Sequence, residues 1–187
     1  MPFELIHFRD SEKIIRRKKL AGDVKATLEY VYDALQGTIQ RGELMRQALA
    51  EMGWRENGSL SILDGRRYQF KGFKKGITLD GSFSSFKYLL TGLARLQVGL
   101  DKKQIDAGIL MLTSARSEKS SLGTSRDLAA AEVEAFYPTI SVPVAIALFD
   151  LGSPIISDGD EGEGGDGNGI SVPAAQGEEA TEVERGA

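Results

Sequence analysis

The residues whose types and spacing invite chemistry are acids and lysines on strand-like segments: Asp64, Gln69 and Lys71 in one frame, Lys71, Asp80 and Ser82 in another. The 187 residues include no cysteine and a single histidine, His7, which excludes thiol catalysis, disulfides and zinc sites of the Cys/His kind. Metal chemistry would then rest on carboxylates, and oxygen-only sites favour magnesium, manganese or calcium. Residues at i and i+2 of a strand share a face, so a D…(D/E)-x-K arrangement places two metal ligands and a water-orienting helper at one sheet edge, as phosphodiester hydrolysis requires. In the first frame an amide, Gln69, stands where an acid belongs. In the second, the Lys71 ammonium takes a ligand's place and adds charge that repels a cation, and Ser82 is a weak substitute for the helper lysine. Asp80, the one metal ligand of that frame, also reads as a turn residue before Gly81.

Other groups are read more plainly. Glu43 belongs to a solvated helix face, Asp106 to a structural pair within an apolar strand, and His7, between Ile6 and Phe8, to a half-buried strand. The cations form two stretches: Arg66, Arg67, Lys71, Lys74 and Lys75, interleaved with Tyr68, Phe70 and Phe73, and the amino-terminal Arg9, Lys13, Arg16, Arg17, Lys18 and Lys19. Such groups can neutralise phosphates, the sequence-independent part of DNA affinity.

The elements that would position these groups follow from periodicity. Val24, Leu28, Val31 and Leu35 after a cap at Asp23 predict one helix, and Ile39, Leu44, Met45, Leu49 and Met52 a second that ends near Gly53. Residues 59–63 and 67–73 alternate like the strands of a hairpin around Asp64-Gly65, with Tyr68 and Phe70 on one face. A third strand, 76–80, leads through a cap at Ser82 into a helix with the stripe Phe83, Phe86, Leu89, Leu90, Leu93 and Leu96. The apolar runs 105–112 and 140–151 predict strands covered on both faces, joined by a helix over 125–135. The fold class is α/β, a mixed central sheet flanked by helices.

Charge divides the chain. Residues 153–187 carry nine acidic groups and one basic, against 22 basic and 18 acidic in 1–152. The Gly- and Glu-rich composition of 153–187 predicts a disordered acidic tail behind a domain of residues 1–152. Its Asp/Gly alternation imitates a calcium loop, but Gly162 and Gly169 stand where ligands are needed. No segment has the length and hydropathy of a membrane span or a signal peptide, so a cytoplasmic protein without membrane contact is expected.

Taken together, Tyr-Gln-Phe-Lys-Gly-Phe-Lys-Lys-Gly-Ile-Thr-Leu-Asp-Gly-Ser-Phe (68–83), Phe86-Lys-Tyr-Leu-Leu, Gln104-Ile-Asp-Ala-Gly-Ile-Leu-Met-Leu and Val142-Pro-Val-Ala-Ile-Ala-Leu resemble the PD-(D/E)xK superfamily, in particular type II restriction endonucleases of the Bgl and BstY kind. The resemblance runs from about Tyr68 to Leu151. In that family eight residues separate the first aspartate from the glutamate, and one more separates the glutamate from a glutamine, lysine or acid. That spacing selects Lys71, Asp80 and Ser82, a degenerate motif. The resemblance implies a DNA-associated protein with an eroded active site that works with duplex DNA and a partner. Its alternatives are a magnesium-dependent endonuclease using Asp64 or Asp80 with Lys71, acting as a homodimer, and a non-catalytic structural subunit of a larger complex. Magnesium is the cofactor if the protein is active, and otherwise there is none.

Overall fold

Three apolar runs become the centre of the molecule. A computed structural model describes residues 3–38, 41–56, 61–63, 68–83, 88–114 and 123–151, which fall within one compact unit, Met1–Ile155. Ile77–Ser82 (β3), Ala107–Thr113 (β4) and Val144–Phe149 (β5) are buried almost throughout. They lie parallel, with Asp80 beside Leu110 and Leu110 beside Ile146. Parallel neighbours need crossovers. Tyr88–Asp101 (α4) joins β3 to β4, and Arg126–Ala135 (α5) joins β4 to β5. Ser125 caps α5, its hydroxyl accepting from Leu128 N at 3.2 Å.

Antiparallel strands close both edges. Phe3–Phe8 (β1) lies on β5 and Gly72–Lys74 (β2) on β3, giving a five-stranded sheet in the order β1-β5-β4-β3-β2. The strand period of two sorts the core into two layers. Ile77, Leu79, Ile109, Met111, Ala145, Ala147 and Phe149 pack with Ser11–Arg17 (α1), Ala21–Leu35 (α2) and Arg41–Glu51 (α3). Leu110, Leu112, Val144, Ile146 and Leu148 face Leu89, Leu93 and Leu96 of α4 and Val133 of α5. Each buried leucine of that α4 stripe contributes about 2 kcal/mol. Asp80, in register with Leu110, shares the α4 face.

Several expectations need correction. α1, an element the periodicity did not predict, lies between the strand around His7 (β1) and α2: its seven residues are too few for a periodic signal. α2 begins at Ala21, capped by Leu20 without a side-chain bond, so Asp23 lies in its first turn. Ser82 is not a helix cap but the end of β3, and α4 starts at Tyr88. Phe83 packs in the opposite layer, edge-on to Phe149 with centroids 5.4 Å apart. Of the described residues 68–73, Gly72 and Phe73 are in a strand; Phe70 is buried while Tyr68 is exposed, so they do not share a buried face. Ser61 bridges Gln69 antiparallel and Ile62 N donates to the Tyr68 carbonyl at 2.8 Å, so the described parts of the two predicted hairpin arms do pair. Asp80 and Gly81 are mid-strand, not a turn. Asp64, Arg66, Arg67 and the readings placed on 153–187 lie outside the described residues. Among the described residues no helix is long and apolar enough to cross a membrane.

Candidate functional site

The site is built where β3 meets α4. Gly72 pairs with Leu79 across the β2–β3 hairpin, and Lys71, just before β2, is near enough for its charge to act on Asp80. Gly81, next in β3, lets β4 come close: a Cβ there would run into the Met111 carbonyl oxygen and meet the Met111 amide nitrogen at 3.0 Å. It also donates its N–H to Asp80 Oδ1 at 3.0 Å. Asp80 has no solvent exposure.

A buried carboxylate needs a partner. It is Arg95 of α4, whose Nε lies 3.3 Å from Asp80 Oδ2. The contact is an ion pair without an aligned hydrogen bond, since neither of those two atoms has a hydrogen-bond partner among the described residues. The remainder of the guanidinium is fixed: Nη1 donates to the Tyr88 hydroxyl at 2.6 Å and Nη2 to the Gln69 carbonyl. Tyr88 and Arg95 are two turns apart on α4, so one helix face presents both, with the guanidinium 5.8 Å from the Tyr88 ring centroid.

Burial pushes the Asp80 carboxyl above the usual carboxylate range; the Arg95 charge, Tyr88, the Gly81 N–H and the Lys71 charge, in decreasing order, pull it partly back. Burial, reinforced by the Asp80 charge, pushes the Tyr88 hydroxyl well above its ordinary value. It stays protonated, a hydrogen-bond donor and a poor nucleophile.

A magnesium ion needs oxygen donors and a neutralising set of charges. Around Asp80 the described residues supply one carboxylate, a guanidinium at ion-pair distance and the Lys71 charge. Among the described residues no three acidic, histidine or cysteine groups are placed to hold a metal. This donor set does not fit the metal: Arg95 already neutralises the carboxylate, and Lys71 would repel a dication.

The other sequence candidates scatter. Glu43 is exposed on α3, whose buried residues belong to the opposite layer. His7 is half-buried in β1 with Nδ1 3.0 Å from Ser11 Oγ, and burial lowers its pKa. Asp106 is not inside a strand: it precedes β4, is half exposed and pairs with Lys18 at 2.5 Å. Lys74 is tied to Asp23 at 2.8 Å and lies 5.8 Å from the Trp54 ring centroid. Arg9 caps the end of α5, donating to the Val133 carbonyl at 2.8 Å. Lys13 and Arg16 form ion pairs within α1 and its cap, with Asp10 and Glu12. Lys75 is exposed at the β2–β3 turn.

Sequence reasoning missed Arg95 and Tyr88. The available signal was a cation and a phenol seven residues apart on a helix whose other inward positions, Leu89, Leu93 and Leu96, are apolar.

Two solved structures are similar to this chain. Restriction endonuclease BglII in complex with a DNA 16-mer superposes with a TM-score of 0.60 at 11% identity, over 80% of this chain and 77% of that one. Free BglII gives 0.54 at 13% identity, over 80% and 79%. The fold is restriction-endonuclease-like. At such identity the likeness is one of architecture: no family model matches the sequence, and no curated protein does.

Proposed function

We propose that this restriction-endonuclease-like protein is a DNA-associated cytoplasmic protein whose catalytic centre is eroded, an internal cation having replaced the metal. The observation that carries this reading is the Asp80–Arg95 ion pair. Lys71 and Ser82 stand where a ligand and a helper would be, and Asp80 holds a structural charge in place of a magnesium ligand. The similarity to an enzyme solved on DNA supports a nucleic-acid partner. The test is incubation of the full chain with plasmid and duplex DNA in magnesium or manganese. Binding without cleavage is expected; cleavage that disappears in Asp80→Ala would establish the endonuclease instead.

A second reading, a structural subunit, is favoured by one feature. Leu63, Tyr68 and Leu90 are exposed around a groove of about 490 Å³ along α4, an apolar surface suited to a protein partner or a second copy. A monomer by light scattering that binds DNA alone would leave this reading without support.

A further inference from the structure

The two cationic stretches of the sequence do not form two surfaces. Folding splits each and joins parts of both. Lys74 turns to an internal partner, Asp23, and the Lys71 charge lies near enough to Asp80 to act on its carboxyl. Lys18 pairs with Asp106, and a Cβ on Gly76 would meet its ammonium at 3.0 Å. Asp106 N in turn donates to the Gly76 carbonyl at 2.7 Å. The end of α1, the β2–β3 turn and the α4–β4 turn therefore meet at one edge of the sheet. That edge carries Lys18, Lys19, Lys75, Lys102 and Lys103, against Asp101 and Asp106.

Three of these lysines share a second property. Lys19, Lys75 and Lys103 have φ of 58°, 49° and 55°, left-handed conformations that favour glycine over a residue with a Cβ. Each is exposed, and none makes a side-chain hydrogen bond or ion pair with a described residue. Most cations of α1 and β2 have internal acids. Local backbone energy would select glycine at these turns, and charge stands there in its place. Asp80 is five residues further along β3 from Lys75, about 16 Å away at the rise of a strand.

We propose that this lysine edge, remote from Asp80, binds the phosphodiester backbone of duplex DNA without reading its sequence. Exposed ammonium groups on turns from three elements present separate charges to successive phosphates, and the binding free energy comes from released counterions. The inference rests on the DNA-associated reading and says which surface serves it.

The test uses the full chain and a short fluorescein-labelled duplex of arbitrary sequence, with anisotropy followed across a salt series. The triple variant Lys19→Gly, Lys75→Gly, Lys103→Gly removes three charges while suiting all three backbones. It should melt at or above the parent temperature, yet bind at least about tenfold more weakly at low salt, with the log–log salt slope reduced by about three. The corresponding triple glutamine variant should lose binding alike, and the triple arginine variant should keep it, which separates charge from fold. Parent binding that survives unchanged in both neutral variants overturns the lysine edge and leaves the DNA-associated reading standing. A parent that binds no duplex at low salt overturns both. Polyglutamate bound more tightly than the duplex overturns the proposal in favour of an acidic protein.

Discussion

Arg95 and Lys75 are both cations within reach of the β2–β3 hairpin, yet their circumstances are opposite. Arg95 is mostly buried on α4 and held by Asp80, Tyr88 and the Gln69 carbonyl. Lys75 stands at an exposed turn, with no acid paired to it among the described residues. The first cation holds the fold together, and only the second is available to an outside anion. Counting basic residues does not distinguish them; counting which of them have already found a carboxylate does.

The largest expected effect comes from removing the enclosed cation. Arg95→Met leaves Asp80 buried without its countercharge and should cost about 3 to 5 kcal/mol at neutral pH by chemical denaturation. The loss should shrink in acid, where Asp80 takes up a proton. Gly81→Ala should follow at about 1 to 3 kcal/mol, because the new methyl meets the Met111 backbone, which cannot give way as a side chain can. Lys74→Ala tests a cation of intermediate kind, partly exposed but paired with Asp23 and near Trp54, and should cost about 1 kcal/mol. Were Lys74→Ala to match Arg95→Met, enclosure would not be what separates the two regions.

A pH series sharpens the same contrast with a smaller effect. Burial raises Asp80, so the folded chain keeps that proton to higher pH than the unfolded chain does. Its contribution to stability is complete below the ordinary carboxylate range and is lost as the pH rises through the folded-state value. Asp80→Asn, which cannot ionise, should lack that part of the pH dependence in thermal melts.

How far the sequence revealed all this depended on the range of the interaction. β4 and β5 were legible because strands covered on both faces read as unbroken apolar runs, and α5 because Ser125 marks its start. β1 was legible only around His7, since an edge strand such as Phe-Glu-Leu-Ile-His-Phe mixes polar and apolar residues, and its partner β5 lies at the far end of the described chain. Spacing brought Lys71 and Asp80 forward, and the Lys71 charge does act on the Asp80 carboxyl. It gave no hint that the countercharge would come from Arg95, fifteen positions beyond Asp80, because the α4 stripe reads as apolar packing. The lysine edge was hidden for the same reason: Lys19, Lys75 and Lys103 are far apart in the chain, and only the turns of the folded sheet gather them.

The central claim is that Asp80 is neutralised from within and holds no metal. Calorimetric titration of magnesium and manganese into the full chain and into Asp80→Ala tests it most directly, because subtracting the two isotherms removes any weak binding by acidic residues elsewhere. Superimposable isotherms are expected. Saturable, stoichiometric binding in the parent that is lost in Asp80→Ala would contradict it.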